Sequence, residues 1–265
     1  MEMVLRKEGP PPYYLFTSFK GKELIHGVFT RLGGFSQGTF ASLNVGHTVG
    51  DDPAHVEANH RAIYRALGIQ AEEVVSAHQV HGDRVAVVSL KDGGRVFPQT
   101  DALISQVPGR FLLLRFADCV PVLFYAPRQR AVGIAHAGWR GTLQRIAVKT
   151  VRAMEEAYGC RPEEILAGIG PSIGPCCFEV GPEVVEEARK AFPTYEGILL
   201  PGEGDRSYLD LWRINELQLR EIGVLAIERA DICTFCHRAE FFSHRGDGGH
   251  TGRFAALIGL QSPKP

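Results

Sequence analysis

Three apolar segments follow one another closely in the middle of the sequence, and this run limits the possible folds more than any other feature. The segments are residues 111–116, 120–125 and 131–135. Each is short, apolar and bounded by turn-forming residues, so each is expected to form a buried β-strand. No helix-length segment separates them. This order favours an α+β fold over a doubly wound sheet, in which strands and helices alternate.

The rest of the chain adds further strands and four helices. Strands are expected at 24–30, 84–88, 165–169, 229–232 and 255–260, and helices at 52–67, 143–158, 182–192 and 211–221. The helix at 143–158 has apolar residues near helical spacing and stops at Gly159. The expected fold is therefore α+β, a single large domain with mixed β-sheets flanked by helices.

The organisation of the chain points to one domain with short extensions. Its 265 residues are enough to bury a stable core without disulfides or a structural metal. No low-complexity linker or repeat divides them. We expect a flexible N-terminal segment at 1–12, which ends in a glycine and three prolines, one folded domain at 13–260, and a C-terminal tail at 261–265.

Composition and simple motifs exclude several classes of function. The net charge of −1 leaves no basic footprint for nucleic acid, and no apolar stretch approaches the length of a membrane span. The six cysteines do not form the dense framework of a small secreted protein, and the N-terminus lacks the apolar core of a signal peptide. Neither familiar glycine-rich nucleotide-phosphate loop is present. We therefore expect a cytoplasmic protein.

Three residues of metal-ligand type lie at the ends of expected strands. They are His81, Cys119 and His136, and the first and last are followed closely by glycine. Residues at the rim of a sheet can converge on one point and still leave room for a substrate. Zinc binds thiolate and imidazole readily, and three protein ligands leave one position open. Copper, which also binds soft thiolate and borderline imidazole ligands, is the less favoured alternative.

The spacing of these residues does not by itself prove a metal site. Cys119 follows His81 by 38 positions and precedes His136 by 17, which matches no compact zinc-finger pattern. A cysteine between apolar residues can instead be a small core residue. Cys119 and His136 can also form a nucleophile–base pair. Spacing alone leaves these interpretations open.

Eight short motifs, spread over nearly the whole chain, favour the metal site over the other interpretations. In order, they are FTRLGGFS at 29–36, SLNVG at 42–46, QVHG at 79–82, TDA at 100–102, ADCVP at 117–121, HAGWRG at 136–141, GPSIGPCC at 170–177 and FFSHR at 241–245. Together they resemble the laccase-domain family, also called the multicopper polyphenol oxidase-like or purine nucleoside phosphorylase family.

The resemblance implies a fold, a metal and an activity. The fold is a large α+β domain with mixed sheets, and the metal is one zinc ion held by His81, Cys119 and His136. The activity is phosphorolysis of adenosine, inosine and methylthioadenosine, together with adenosine deamination. Cys119 and His136 are then catalytic as well as metal-binding, and the partners are a small-molecule nucleoside and phosphate. The oligomeric state is left open.

Two alternative activities accompany the same resemblance. One is copper-dependent oxidation of polyphenols, but the chain has no His-x-His segment from which a multicopper centre is built, and only 3 Met from which a blue-copper axial ligand could come. The other is a Cys/His hydrolase that edits cell-wall precursors, which rests on a remote similarity of the Cys/His arrangement to a deamidase toxin.

Two polar residues in the first motifs are candidates for substrate binding. Arg31 precedes the glycine pair at 33–34, where backbone can approach a ligand closely. The resemblance suggests that Arg31 reaches phosphate or substrate and is also catalytic; the alternative is a solvated loop arginine. Asn44 is expected either to bind a ribose hydroxyl or to cap the following turn.

A glycine-rich segment near the C-terminus carries further candidates. His244, Arg245 and Arg253 lie among four glycines, so they are expected to form an anion cradle or else a surface loop. Asp118 is considered as a carboxylate that orients a ligand histidine, although its strand position argues against this. His78 is expected to support the site, not to bind the metal.

One further cysteine pair needs a separate interpretation. Cys233 and Cys236 form a CxxC followed by histidine, a pattern found in redox sites, zinc sites and haem attachment. Because the sequence has no second CxxC that would complete a zinc site, we expect these two thiols to be structural or incidental.

Overall fold

Two mixed β-sheets pack face to face at the centre of the molecule. The computed structural model describes residues 3–6, 9 and 11–262, and in this part of the chain it contains sixteen strands in three sheets and five α-helices. The α+β prediction, a single domain with mixed sheets flanked by helices, is confirmed.

The first sheet has seven strands. In spatial order they are β1 (Val4–Arg6), β2 (Tyr13–Leu15), β3 (Leu24–Phe29), β16 (Phe254–Leu260), β8 (Arg110–Phe116), β4 (Val74–Ala77) and β6 (Val96–Phe97). The pairs from β1 to β8 are antiparallel, whereas β8–β4 and β4–β6 are parallel.

The second sheet has six strands and the third has three. The second sheet follows the order β15 (Ala226–Arg229), β11 (Leu166–Ile169), β9 (Val120–Ala126), β10 (Ala131–Ala137), β7 (Ala102–Ser105) and β5 (Val85–Val88). The third, small sheet follows β12 (Glu179–Val180), β14 (Ser207–Leu209) and β13 (Leu199–Pro201). The helices are α1 (Pro53–Leu67), α2 (Trp139–Leu143), α3 (Ile146–Tyr158), α4 (Pro182–Ala191) and α5 (Leu211–Glu221).

The alternation of side chains along the central strands generates four layers. In β8, Leu112 and Leu114 belong to the core between the two large sheets, while Phe111 and Leu113 belong to the core under α1. Residues of β9 alternate in the same way between the inter-sheet core and the core that holds α3 and α5. Because successive strand residues point to opposite faces, an uninterrupted apolar strand is expected when both faces are covered.

Two predicted elements have different boundaries in the structure. The helix expected at 143–158 is α3, which begins only at Ile146 because Arg145 before it has a left-handed backbone with φ of 61°; Leu143 instead ends the separate helix α2. The strand expected at 229–232 is β15, which ends at Arg229. Eight short strands were not predicted, since two to four residues of pairing leave little periodicity to detect.

The chain ends are described only in part. β1 lies inside the segment 1–12 that was expected to be flexible, and it pairs with β2 at the edge of the first sheet. Of the predicted tail 261–265, residues 263–265 lie outside the described part. No helix among the described residues is long and apolar enough to cross a membrane.

The strand directions bring several loops to one end of the central sheets. β4, β8 and β10 end there, while β5, β7, β9 and β16 begin there. The chain passes from the first sheet to the second through the turn at 117–119 between β8 and β9. Loops from both sheets therefore meet at this end.

Replacing Leu112 with alanine tests the inter-sheet core. Leu112 is fully buried between the two sheets, so Leu112→Ala should lower the free energy of unfolding by about 2–5 kcal/mol. Leu225→Ala is the control, because Leu225 is 67% exposed and should change stability by no more than about 0.5 kcal/mol. Urea unfolding curves measure both, and equal small effects would contradict this packing.

Candidate metal centre and active-site cavity

His81, Cys119 and His136 meet at the shared end of the two sheets. His81 lies in the loop after β4, Cys119 in the turn between β8 and β9, and His136 is the second-to-last residue of β10. Their nitrogen and sulfur ligand atoms all lie within 4.8 Å of one another. The structure therefore brings together the three residues that were predicted as metal ligands.

The space among the three residues suits a small ion, and one side of the group is open to solvent. His136 is buried, Cys119 is half-buried and His81 is exposed. A side chain at Gly138 would place its Cβ 2.9 Å from the Cys119 Sγ and 3.1 Å from the His81 ring. Position 138 must therefore stay without a side chain, and the exposed His81 leaves the centre accessible from one direction.

The buried carboxylate of Asp101 connects the two histidines. Its Oδ1 accepts hydrogen bonds from the His81 backbone N–H and from the His136 Nδ1, both at 2.9 Å. Its Oδ2 accepts from the N–H groups of Gly82 at 2.9 Å and Val80 at 3.2 Å. Donation from Nδ1 leaves the Nε2 of His136 free to act as a ligand.

The sequence analysis missed this role of Asp101. Asp101 lies in the quoted motif at 100–102, but Asp118 was the carboxylate considered for orienting a ligand histidine. The Asp118 carboxylate instead accepts hydrogen bonds from the Thr234 hydroxyl and the Arg245 backbone N–H, each at 2.7 Å. Asp118 therefore supports neighbouring loops, and the orienting carboxylate comes from the strand next to β10 in the second sheet.

Two residues of the site hold a backbone conformation that L-amino acids rarely adopt. His81 has φ of 60° and Asp118 has φ of 79°, both in the left-handed region. Such positions typically cost about 1–3 kcal/mol and persist only when neighbouring contacts hold them. The hydrogen bonds from the backbone N–H groups of residues 80–82 to the Asp101 carboxylate hold His81 in this conformation.

Charge interactions within the site change the protonation of Cys119 and His136. Burial alone would raise the pKa of the Cys119 thiol, but the charge and hydrogen bonds of His136 and His81 outweigh it and lower the pKa to about 6. Burial would lower the pKa of His136, but Cys119 and Asp101 raise it to about 9. In the metal-free protein the pair is therefore a thiolate beside an imidazolium.

The group of His81, Cys119 and His136 opens into a cavity of about 1140 Å³. Its charged lining is mainly cationic: Glu57 and Asp118 are the acidic residues, against the arginines Arg95, Arg115, Arg140, Arg245 and Arg253. Histidines and aromatic rings complete the wall, among them His60, Tyr64, His78, Trp139, Phe178 and His244. The contributions of Arg115, His60 and Tyr64 could not be recognised from the sequence, because they come from distant elements without a motif.

Two of these arginines are half-buried without an acidic partner. Within the described residues, neither Arg115 nor Arg253 has a carboxylate oxygen within 4.0 Å, and burial lowers the pKa of both guanidinium groups. Burying an unpaired charge is costly, so such a group is expected to have a charged ligand. The charges of Cys119 and Asp118 oppose this lowering of the Arg253 pKa, which indicates that Arg253 lies on the same side of the cavity as Cys119.

The predicted substrate-binding residues separate into two groups. His244, Arg245 and Arg253 line the cavity, as the anion-cradle prediction requires. Arg31 does not: its guanidinium donates to the carbonyls of Ala41 at 2.8 Å and Arg238 at 3.0 Å, and it lies over the Phe242 ring. Arg31 thus connects loops outside the cavity, which argues against its predicted phosphate-binding and catalytic role.

Asn44 forms hydrogen bonds within its own loop and to neighbouring loops, and it does not line the cavity. Its side chain is buried, accepts from the N–H groups of Gly46 at 2.9 Å and Arg253 at 2.8 Å, and donates to Asp51 at 2.8 Å. Of the two roles expected for Asn44, these contacts favour the turn cap over ribose binding. Through the amide of Arg253, Asn44 also fixes the backbone of a cavity arginine.

The sequence has no second CxxC, but the conclusion that Cys233 and Cys236 therefore lack partners for a metal site is wrong. A second cysteine pair does lie beside them, because the loop after β11 brings Cys176 and Cys177 to the same place. The four Sγ atoms lie within 4.8 Å of one another. The sequence search for a second CxxC missed this pair, since its cysteines are adjacent.

The chain is similar to known proteins over nearly its full length. The family described as multi-copper polyphenol oxidoreductase laccase matches residues 25–261. Purine nucleoside phosphorylase YlmD of Geobacillus stearothermophilus is 41% identical over 245 residues, 89% of each chain. Purine nucleoside phosphorylase YfiH of Escherichia coli is 38% identical over 233 residues, 87% of this chain and 91% of the relative. The crystal structure of YlmD from G. stearothermophilus superposes with a TM-score of 0.93 at 37% identity, covering 98% of this chain and 100% of that one.

Replacing Asp101 with asparagine tests the role of its carboxylate. An amide cannot accept all four hydrogen bonds, so the loop at 80–82 and the His136 ring should lose their fixed positions. Loss of a hydrogen-bond partner of a ligand histidine typically weakens metal binding about 10–100-fold. Zinc titration against a competing chelator measures the affinity. Asp52→Asn is the control, because Asp52 is an exposed helix N-cap for which asparagine is an equivalent; equal affinities in both variants would contradict this role.

Alkylation of the metal-free protein tests the charge state of Cys119. The lowered pKa means that the thiolate forms as pH rises through about 6, so the iodoacetamide rate at Cys119 should rise between pH 5 and 7 and then level off. In His136→Ala the midpoint should move towards the ordinary thiol value of about 8.5. Peptide mapping by mass spectrometry distinguishes Cys119 from Cys160, whose pKa is raised to about 11 by burial. A wild-type midpoint above pH 8 would contradict the ion pair.

Proposed function

The chain belongs to the multi-copper polyphenol oxidoreductase laccase family, and we propose that within it the protein is a zinc-dependent purine nucleoside phosphorylase. The observation that carries this proposal is the position of two half-buried, unpaired arginines in the same cavity as a three-residue metal centre. Cationic side chains that make no carboxylate contact within 4.0 Å fit phosphate, and a group of three potential metal ligands with one accessible side fits a reaction on a substrate bound next to it. The names of the curated relatives agree with this assignment.

The donor set of the metal centre favours zinc. Two imidazoles and one thiolate within 4.8 Å match the ligands that zinc takes, and three protein ligands are typical of catalytic zinc sites. Copper accepts the same donors but is the less favoured metal. A zinc ion bound by His81, Cys119 and His136 would supply a Lewis acid with one open coordination position. The Asp101 carboxylate would hold His136 in the tautomer that this requires.

Arg253 is the residue best placed to bind phosphate beside the metal centre. Its backbone is held by Asn44, and one guanidinium nitrogen donates to the carbonyls of Thr251 and Gly252 at 2.9 Å. Its other nitrogens have no acceptor among the described residues. A guanidinium fixed in this way presents a planar pair of donors, which is the geometry that phosphate oxygens accept.

The rest of the cavity suits a nucleoside. Arg140 lies over the Trp139 ring at 4.2 Å and Arg245 over the Phe178 ring at 5.4 Å, so both aromatic rings are held in place by a cation. Such rings offer an apolar face for a purine. The cavity volume of about 1140 Å³ accommodates a nucleoside and a phosphate together. We extend the proposal to adenosine, inosine and methylthioadenosine, with adenosine deamination as a further activity.

In the proposed reaction a phosphate oxygen forms a bond to the anomeric carbon while the bond from that carbon to the purine nitrogen breaks. The bonding electrons leave with the purine, which takes up the proton that the attacking hydrogen phosphate gives up, so the products are free base and ribose-1-phosphate. Arg253 and the neighbouring arginines hold phosphate in line and offset its charge as it approaches the sugar. Positioning of two reactants in this way is itself a large contribution to catalysis.

The polyphenol oxidase alternative finds less support in the donor groups. Among the described residues, two groups have metal-binding geometry, and His81–Cys119–His136 is the one that contains histidine. A multicopper oxidase reduces oxygen at a cluster of histidine-bound coppers, for which these three residues provide too few imidazoles. Phosphorolysis requires an anion site beside the nucleoside, and the arginines that line the cavity support that requirement.

Product analysis with and without phosphate tests the proposed function. With metal-loaded protein, adenosine or inosine should yield free base and ribose-1-phosphate at a rate that saturates with phosphate. Base release that does not respond to phosphate and gives free ribose would identify a hydrolase. Ammonia release from adenosine reports the deaminase activity separately. Oxygen-consuming phenol turnover without nucleoside cleavage would overturn the proposal in favour of the oxidase.

Arginine variants test where phosphate binds. Charge-assisted hydrogen bonds are typically worth about 1.5–3 kcal/mol, so Arg253→Ala should raise the KM for phosphate roughly 10–100-fold and leave zinc content unchanged. Arg253→Lys should recover part of the loss, because ammonium lacks the bidentate fork. Arg31→Ala distinguishes the sequence prediction from the structure: it should lower stability without a selective effect on phosphate. Arg152→Ala, on the exposed face of α3, is the matched control.

A further inference from the structure

Four cysteines from two loops converge outside the active-site cavity. Cys176 and Cys177 lie in the loop after β11, and Cys233 and Cys236 lie in the loop after β15. The Sγ of Cys236 is 3.7 Å from that of Cys176 and 3.4 Å from that of Cys177, and all four Sγ atoms lie within 4.8 Å of one another. This arrangement could not be predicted from the sequence, because about 60 residues separate the two cysteine pairs.

The size of this cluster matches a tetrahedral zinc site. Zinc–sulfur bonds are about 2.3 Å, so the sulfur atoms of a four-thiolate site stand about 3.8 Å apart. The two measured separations lie close to that edge length. A disulfide would instead need two sulfur atoms about 2.05 Å apart and would leave the other two unused. Four convergent thiols correspond to the closed ligand set of a structural zinc.

The backbone holds both loops in place around the cluster. Ser172 forms a bridge to Cys233, with Ser172 N–H donating to the Ile232 carbonyl at 3.2 Å and Thr234 N–H donating to the Ser172 carbonyl at 3.0 Å. The Cys233 Sγ accepts a hydrogen bond from the Gly174 N–H at 3.2 Å. Amide donors to sulfur favour the thiolate form that a metal requires.

The four cysteines differ in their exposure to solvent, and the exposed ones provide an entry path for a metal ion. Cys233 is buried and Cys177 is half-buried, whereas Cys176 and Cys236 are exposed. The cluster therefore reaches from the protein interior to the surface. An ion can enter from solvent and be closed off by the two exposed thiols.

We propose that Cys176, Cys177, Cys233 and Cys236 bind a second zinc ion, which is structural and separate from the His81–Cys119–His136 centre. The two loops that it joins shape the active-site cavity: Ile173 and Phe178 line the wall, and Thr234 holds the Asp118 carboxylate next to Cys119. This second zinc fixes the cavity wall without taking part in the reaction.

Metal stoichiometry in matched variants tests this second site. Purified wild-type protein reloaded with zinc should contain two equivalents by elemental analysis. Cys233→Ser combined with Cys236→Ser should lose one equivalent, and Cys119→Ser should lose the other. Cys160→Ser is the control and should lose none, because Cys160 is a buried cysteine outside the cluster. Unchanged zinc in the double variant overturns the second site, whereas unchanged zinc in Cys119→Ser contradicts only the first.

Thiol reactivity in the wild-type protein tests the site independently of any substitution. Mass mapping after brief iodoacetamide treatment should find Cys176 and Cys236 protected in zinc-loaded protein, although both are exposed in the structure. Chelator treatment should raise their alkylation rate at least tenfold. Equal rapid alkylation before and after chelation overturns the proposal, as does a disulfide that joins any two of the four cysteines in protein purified with zinc.

Discussion

The hydrogen bonds of the buried Asp101 carboxylate hold the arrangement of His81, Cys119 and His136. The carboxylate accepts hydrogen bonds from three successive backbone N–H groups of the loop at 80–82 and from the Nδ1 of His136, so one side chain fixes both the backbone of His81 and the orientation of the His136 ring. Burial alone would raise the pKa of Asp101, but the hydrogen bonds from His136 and the amides outweigh it and keep the pKa below its ordinary value. The resulting charge stabilises the imidazolium of His136 in the metal-free protein and, through it, the thiolate of Cys119.

The fold supplies the remaining parts of the site from distant positions in the chain. The turn at 117–119 carries the chain from one sheet to the other, and β16 begins beside it because Phe254 pairs with Phe116. Arg253 therefore lines the same cavity as Cys119, although more than a hundred residues separate them. The cavity then combines the His81–Cys119–His136 group, arginines without a carboxylate contact and aromatic rings. In the proposed function the metal centre and Arg253 act on the two reactants, and the aromatic rings receive the purine.

Much of the architecture could be predicted from the sequence, because long apolar strands and amphipathic helices carry their own periodicity. The central strands β8, β9 and β10 and the helices α1, α4 and α5 lie within a residue or two of their predicted positions. Family motifs located His81, Cys119 and His136, which the structure brings together. Asp101, Arg115 and the Cys176–Cys177 pair were missed as functional residues because their roles arise from contacts between elements far apart in sequence. Arg31 shows the converse: a motif position beside glycines is occupied by an arginine that holds two loops together.

Anomalous diffraction at the zinc absorption edge tests the central claim most directly. Crystals of zinc-loaded protein should show a peak about 2.3 Å from the Cys119 Sγ and about 2.0–2.1 Å from a ring nitrogen of both His81 and His136. The Asp101 carboxylate should remain bonded to the Nδ1 of His136 and should not contact the ion. A map without a peak among these three residues, or with Asp101 as a ligand in place of His136, would contradict the account.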